Sequence, residues 1–237
     1  MTIFVSRRSA LVMTAVLLAS KSFAAAAPLK ISTVGAGKIG RNLGGVWAKA
    51  GHPVMLSSRH PEELKDEVAA IGANARAGTV AEAIAFADVV LLAVPYSAMP
   101  GIAKDHAAAL ATKRLVFDAT NPIAPRDGAI VEEVLQMGVG LYTAKLLPGA
   151  PIVRAFNAIG AARFSQGGRD AAGQPIGIPI AGDNAAALGL AGDLIRETGF
   201  EPVMVGGLAF GKYLRPGTPL AGEHAPVEIR RIAATLN

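Results

Sequence analysis

Apolar strands that alternate with amphipathic helices predict an α/β fold built on a doubly wound, mostly parallel sheet. Two continuous apolar runs, at residues 88–94 and 115–118, are typical of strands buried on both faces. A glycine-rich turn at residues 34–40 joins the first apolar strand to the first helix. Together these observations predict a Rossmann-type fold with a small C-terminal lobe.

The first βαβ unit occupies residues 29–57, with strands over 29–34 and 54–57 and a helix over 39–50. Gly35 allows the tight turn, Gly37 lets a pyrophosphate approach the backbone, and Gly40 lets helix and strand pack closely. Such a turn can also serve packing alone, but its position between strand and helix favours a dinucleotide at the helix N-terminus. The residues predicted to contact it are Gly35, Ala36, Gly37, Lys38, Ile39 and Gly40.

The later elements continue the alternation. Helices are predicted over 61–72 and 80–86, and residues 129–147 have a helical pattern. Strands over 151–155 and 177–181 extend the sheet, with a glycine-rich loop at 167–173 between them. A helix capped by Asp183 and Asn184 ends at Gly199, before a strand over 201–205 and a helix over 227–236. Because no linker divides residues 28–237, we expect one nucleotide-binding domain with a C-terminal extension.

Residues 1–27 are expected to form a cleaved export signal. Arg7 and Arg8 precede an apolar run over 10–19 and a small-residue site near Ala24, and that run is too short for a comfortable membrane span. The paired arginines followed by Leu11 favour a twin-arginine signal, and a general secretory signal is the alternative. We therefore expect a periplasmic or exported protein with no membrane association after cleavage.

Charge and composition exclude several other functions. Cleavage removes three cations and no acid, which lowers the formal net charge from +5 to +2 and gives no reason to expect a nucleic-acid partner. The chain has no cysteine, and its four histidines lack metal-ligand spacing, so no metal site is expected. His52, His106 and His224 are predicted to be surface or capping residues.

The end of the second strand predicts which nucleotide binds. It reads Ser57-Ser58-Arg59-His60, without the Asp or Glu that holds the ribose hydroxyls of NAD. A guanidinium beside hydroxyls suits a 2′-phosphate, with His60 as a helper. We therefore predict NADP rather than NAD at Ser58, Arg59 and His60, although Arg59 could instead be a solvated surface residue.

Three further segments follow predicted strands. Ala93, Val94 and Pro95 are expected to line the cofactor, together with Asn121, although the prolines near these strand ends could simply terminate strands.

The third segment, residues 154–160, has a polar residue among small and apolar ones. Asn157 and the backbone N–H groups from Ala158 onward are candidates for the floor of a hydride-transfer site, and packing alone explains Phe156 and Ile159.

A carbonyl reductase would need a placed proton donor. Tyr142 and Lys145 are one residue too close for the YxxxK pattern of short-chain dehydrogenases, so we expect both on a helix surface. Hydride transfer between two stacked rings needs positioning more than acid-base groups, which suits this sequence better.

Taken together, these residues resemble the NADP oxidoreductase, coenzyme F420-dependent family, which includes NADPH-dependent reductases of the deazaflavin F420. The resemblance extends from about residue 29 to 214, and the segment is also similar to the NADPH-binding domain of six-transmembrane ferric reductases. It implies NADP(H) as cofactor, with Ser58 and Arg59 on its 2′-phosphate, and hydride exchange with F420 or a flavin such as FMN.

The partner implied is therefore a small-molecule redox acceptor. An apolar acceptor pocket could equally be a homodimer surface. The alternatives are an exported NADP-binding protein without turnover and an NADPH-dependent reductase of a small organic substrate.

Overall fold

The computed structural model describes residues 28–236. The export signal predicted over residues 1–27 lies outside the described residues, and export stays a prediction. Among the described residues, no helix has the length and apolar character that a membrane span requires.

One sheet organises the described chain. Its strands are β1 (Ile31–Val34), β2 (Val54–Ser57), β3 (Ala75–Gly78), β4 (Val89–Leu92), β5 (Leu115–Asp118), β6 (Ile152–Arg154), β7 (Gly177–Gly182) and β8 (Glu201–Gly206). They lie in the order β3-β2-β1-β4-β5-β6-β7-β8. Strands β1 to β6 are parallel, β7 runs antiparallel to β6, and β8 is parallel to β7. The predicted Rossmann-type α/β fold is therefore confirmed.

Helices cover both faces of the sheet. They are α1 (Lys38–Lys49), α2 (Lys65–Ile71), α3 (Val80–Phe86), α4 (Met99–Ala111), α5 (Ala124–Asp127), α6 (Ile130–Met137), α7 (Val139–Leu146), α8 (Ala185–Glu197) and α9 (Pro226–Ala233). Short 3₁₀ turns span Pro61–Leu64, Tyr96–Ala98, Ala161–Ser165 and Leu208–Tyr213.

Alternate residues of the central strands enter two separate cores. Leu91 and Phe117 belong to the core beneath α1 and α8, whereas Leu92 and Val116 belong to the core beneath α3, α4 and α7. Trp47 of α1 stacks on Phe117 with 5.9 Å between ring centroids, and its indole N–H donates to the Leu194 carbonyl of α8 at 3.0 Å. That bond ties the first helix to a helix almost 150 residues later.

The C-terminal residues close the far end of the sheet. Ile229 of α9 packs with Ala181, Val203, Leu214 and Leu220 in a third, smaller core. The predicted C-terminal lobe is therefore a layer on β7 and β8.

One sequence prediction was wrong in detail, and one strand was missed. The helical stretch 129–147 is two helices, because Gly138 has a φ of 90° that breaks the helix. Strand β3 was not predicted, because its sequence Ala-Arg-Ala-Gly has no apolar run and lies at the sheet edge.

A buried ion pair joins β5 to β6. The Asp118 carboxylate and the Arg154 guanidinium are both fully buried, with Nη1 donating to Oδ2 at 2.7 Å. The other carboxylate oxygen accepts from the amide and the hydroxyl of Thr120, at 2.9 and 2.6 Å. Thr143 donates its hydroxyl to Oδ2 at 2.8 Å, so Tyr96 donates to Thr143 at 2.9 Å. Each carboxylate oxygen thus accepts two bonds, which offsets the cost of burying the charge.

We expect the Arg154→Met variant to lose about 3–5 kcal/mol of unfolding free energy, because it leaves the Asp118 carboxylate buried without its partner. Urea denaturation measures the change. The double variant D118N/R154M should be more stable than R154M alone, since it removes both charges. Arg196→Met is the control, because Arg196 forms an exposed pair with Asp193. A loss no larger than that of R196M would contradict the prediction.

Candidate functional site

Two neighbouring cavities lie over the glycine-rich turn, at the carboxyl ends of the parallel strands. The first, of about 520 Å³, extends from Gly35 to Arg59, and the second, of about 350 Å³, extends from Gly37 to Asn121 and Arg126. Val94 and Pro95 line both. A continuous groove therefore follows the edge of the sheet where ligands of open α/β folds bind.

The three glycines of the turn differ in what surrounds them. Gly35 has a φ of 103°, and a Cβ there would lie 2.6 Å from the Ala93 carbonyl oxygen. A Cβ on Gly40 would lie 2.1 Å from the Gly35 carbonyl oxygen, whereas one on Gly37 would meet no protein atom within 4 Å. Gly35 and Gly40 are therefore required by packing, and the space above Gly37 is left for a ligand.

The N-terminus of α1 faces this space. Gly37 is its N-cap residue, and no side chain caps the helix. The first amide groups of the helix are thus available to an anion, and Lys38 adds a positive charge at the same place. This cradle fits a pyrophosphate.

The first cavity has the chemistry of a 2′-phosphate site at the end of β2. Among the described residues that line it, Arg59 carries the only charge, and its side chain is exposed. The buried Ser57 hydroxyl accepts from the Gly35 amide at 3.4 Å, and the Ser58 hydroxyl accepts from the His60 amide at 3.0 Å. Because no carboxylate lines the cavity, the residues present fit NADP better than NAD.

Asn121 lines the second cavity. Its Nδ2 donates to the Asn157 carbonyl at 2.9 Å, while its Oδ1 is buried without a partner in the described structure. An unpaired buried acceptor is costly, and the amide of a bound ligand would relieve it. The role of Asn121 as a cofactor residue stays a prediction.

A second charged pair, not predicted from the sequence, forms the rim of the second cavity. Arg126 donates to Asp127 at 2.8 Å and to the Asn121 carbonyl at 2.7 Å. Burial raises the pKa of Asp127, but hydrogen bonds from Arg126, Ile123 and Ser97 outweigh it and lower the pKa to about 2. The carboxylate thus fixes the loop after β5 to the turn after β4.

Asn157 is buried, and its Nδ2 donates to the carbonyls of Asp118 and Thr120 at 3.1 and 3.0 Å. Phe156 precedes it with a φ of 65°, a left-handed conformation that costs about 1–3 kcal/mol and is held by aromatic packing on Phe117. Neither Asn157 nor Ala158 lines the two cavities, and their part in hydride transfer stays a prediction.

The other predicted cofactor residues divide into two groups. Ala36, Lys38, Ile39 and Ala93 line the cavities. His60 lines neither cavity, and its ring pairs with Glu62 at 3.4 Å. Its role as a helper at the phosphate stays a prediction.

Tyr142, expected on a helix surface, and His52, expected to be a surface or capping residue, are both buried. His52 accepts from the Leu29 amide and pairs with Glu197 at 2.7 Å. Tyr142 packs in the core of α7 and donates its hydroxyl to Glu133 at 3.0 Å. Neither of them lines the two cavities of the groove. No group of His, Asp or Glu in residues 28–236 could hold a metal ion.

A comparison with known protein families found a match, and it includes residues of the groove. Residues 30–122 match the family described as NADP oxidoreductase, coenzyme F420-dependent. This segment is thus similar to that NADP oxidoreductase family. It contains the glycine-rich turn, Arg59 and Asn121, so the similarity includes residues that build the groove.

Individual relatives extend the likeness beyond the matched segment. The chain is 30% identical over 185 residues to metalloreductase STEAP3 of Rattus norvegicus, covering 76% of this chain and 34% of that protein. It thus spans about a third of that relative. A hypothetical protein from Sinorhizobium meliloti has 28% identity and a TM-score of 0.71, with 84% of this chain and 95% of that chain covered.

A third relative, from Arthrobacter sp. FB24, is provisionally described as an F420-dependent NADP reductase. It has 23% identity and a TM-score of 0.68, with 78% of this chain and 87% of that chain covered. It supports the fold.

We expect Gly37→Ala to fold as stably as the parent protein and to bind NADPH about tenfold or more weakly. The added methyl group meets no protein atom, but it enters the space left for the phosphates. Thermal unfolding and fluorescence titration with NADPH measure the two effects. Gly35→Ala is the contrasting variant and should lose stability. Unchanged NADPH affinity in G37A would contradict the assignment of this space.

We expect Asp127 to contribute about 2 kcal/mol of stability at pH 7, because its pKa falls from 3.8 unfolded to about 2 folded. This contribution is complete well above pH 3.8 and is lost as the pH falls through the folded value. The stability difference between the parent and Asp127→Asn should therefore shrink by about 1 kcal/mol between pH 7 and pH 3. Asp193→Asn, an exposed control, should show no such change, and equal behaviour of both variants would count against the prediction.

Proposed function

We propose that the chain is an NADPH-dependent oxidoreductase that transfers hydride between NADP(H) and a deazaflavin or flavin ring. The observation that carries the proposal is the groove itself. Its charged lining residues are Lys38, Arg59 and Arg126, all cations, placed along a glycine-rich turn that leaves room for phosphates. Such a lining suits a dinucleotide with an additional phosphate.

The groove favours ring-to-ring transfer over carbonyl reduction. Among the described residues that line the cavities there is no His, Tyr, Asp or Glu to donate a proton to a carbonyl. Tyr96, which follows β4, is fully buried, and burial together with the nearby charge of Asp118 raises its pKa. When bound, NADPH supplies a hydride from its nicotinamide ring, and a ring acceptor takes its remaining proton from water.

The protein's own part is to hold and orient the cofactor. The α1 N-terminus and Lys38 bind the pyrophosphate, Arg59 and Ser58 bind the 2′-phosphate, and Asn121 offers its free Oδ1 to the carboxamide. Val94 and Pro95 line both cavities and give this part of the groove an apolar wall. Positioning of this kind is the main protein contribution to hydride transfer.

The test is the loss of dihydronicotinamide absorbance when residues 28–237, NADPH and either F420 or FMN are mixed. Turnover with one ring and a preference for NADPH over NADH is the expected result. Tight binding of NADPH without oxidation in the presence of either ring would overturn the assignment of the acceptor and favour a binding protein or a different substrate.

Arg59→Ala should weaken NADPH binding by about 1.5–3 kcal/mol and leave NADH binding unchanged, because only NADPH has the 2′-phosphate. Arg114→Ala is the matched control, since it removes the same charge from an exposed position before β5. Calorimetric or fluorescence titration of both nucleotides gives the comparison. Equal weakening of NADPH and NADH in R59A would refute the 2′-phosphate contact.

A further inference from the structure

We propose that the cavity lined by Lys212 and Arg215 is an anion-binding subsite that takes the phosphate-bearing tail of the redox acceptor. This inference rests on the proposed function, because it presumes an acceptor next to the nicotinamide. The cavity has a volume of about 300 Å³ and lies between the start of α7 and the loop formed by residues 212–219. It is separate from the two cavities of the cofactor groove.

Within residues 28–236, no ion pair neutralises the charges of this cavity. The ion pairs of the described residues include neither Lys212 nor Arg215, and no carboxylate lines the cavity. Lys212 lies over the ring of Tyr213, with 4.8 Å between Nζ and the ring centroid. Arg215 donates to the Pro216 carbonyl at 3.4 Å. Two neighbouring cations without an acid attract an anionic ligand.

The loop that carries the cations is held in place. The Thr218 hydroxyl lies within hydrogen-bond distance of the carbonyls of Tyr213 and Arg215, the latter at 2.7 Å. Gly217 has a φ of 80°, and this conformation allows the tight turn that brings Thr218 back to these two carbonyls. Because these hydrogen bonds already fix the turn, less conformational entropy is lost when a ligand binds.

The first end of the loop is connected through a buried side chain to the strand end that leads into the cofactor groove. Nη2 of Arg154 donates both to the Thr120 carbonyl at 3.2 Å and to the Leu214 carbonyl at 3.0 Å. Thr120 precedes Asn121, which lines the second cavity of the groove, and Leu214 precedes Arg215. One guanidinium nitrogen therefore joins the strand end beside the groove to the loop of the cationic cavity.

The other end of the same segment returns to the predicted hydride-transfer floor. The Gly222 amide donates to the Ala158 carbonyl at 2.9 Å, and the Asn157 carbonyl in turn accepts from Asn121. Residues 214–222 are thus connected by hydrogen bonds at one end, through Arg154, to Thr120 and at the other end directly to Ala158. These bonds hold the loop that contains Arg215 against the segments that contain Asn121 and Asn157.

The surroundings also suggest the class of ligand. Leu135 lines the cationic cavity and is 41% exposed. Met137 and Leu141, which do not line it, are exposed to the same extent. Ile123 lines the second cavity of the groove and is 43% exposed. Exposed apolar side chains beside unpaired cations suit a molecule with an apolar ring and an anionic tail. FMN and F420 share this chemistry, since each carries a phosphate ester on its side chain.

The test compares ring acceptors with and without the phosphate. In the variant K212Q/R215Q, the KM for FMN should rise about tenfold or more while kcat changes little, and the KM for riboflavin should stay unchanged. The pair formed by F420 and its deazaflavin ring without the tail makes the same comparison and distinguishes which acceptor uses the site. The control K49Q/R230Q removes two exposed charges from the far end of α1 and from α9, and should leave every value unchanged.

A rise in KM that is equal for FMN and riboflavin, or no rise for either phosphate-bearing acceptor, would overturn the subsite. If no acceptor is turned over at all, the proposed function fails and binding decides the subsite separately. Quenching of FMN fluorescence by the intact chain, competed by inorganic phosphate and weakened in K212Q/R215Q, would support it. Binding insensitive to both would overturn it.

Discussion

The buried pair of Asp118 and Arg154 is the interaction on which the site depends. It lies where β5 and β6 end, and its hydrogen bonds reach Thr120, Thr143 and Leu214, three segments distant in sequence. A buried charge left without its partner is strongly destabilising, so these segments keep their relative positions as long as the protein is folded. The wall of the groove and the C-terminal loop are therefore held by the same pair of charges.

Around this pair, one group of residues shapes the backbone of the site, and another group faces the groove where a ligand would bind. Gly35, Gly40 and Ser57 shape the turn from within, while Gly37, Lys38 and Arg59 leave groups free toward the groove. Asn157 is one of the supporting residues, because its side-chain Nδ2 donates to the Asp118 carbonyl of β5. Binding groups held by a packed layer are pre-organised, which suits a reaction in which geometry contributes more than proton transfer.

The first βαβ unit and its binding turn could be predicted from the sequence, because the need for glycine there arises from contacts within the turn and its neighbouring strands. The sequence did not predict β3, whose small residues depend on a neighbouring strand for their extended form. The pairing of Asp118 with Arg154 was also missed, since a charge at a strand end gives no sign of a partner 36 residues away. Arg126 was missed for a similar reason, because its place at the groove depends on Asp127 and the loop after β5.

The hydrogen bond from the Trp47 indole to the Leu194 carbonyl joins the segment that matches the family model to a residue beyond its end. The residues matched by the family end at 122, yet Trp47 and Phe117 pack in a core completed by Phe156, Leu194 and Phe200. A chain cut at the end of the match would expose an indole and a sheet face to water, at a cost of about 25 cal/mol for each Å² of apolar surface. The segment that matches the family model is thus shorter than the set of residues that completes the core on this face of the sheet.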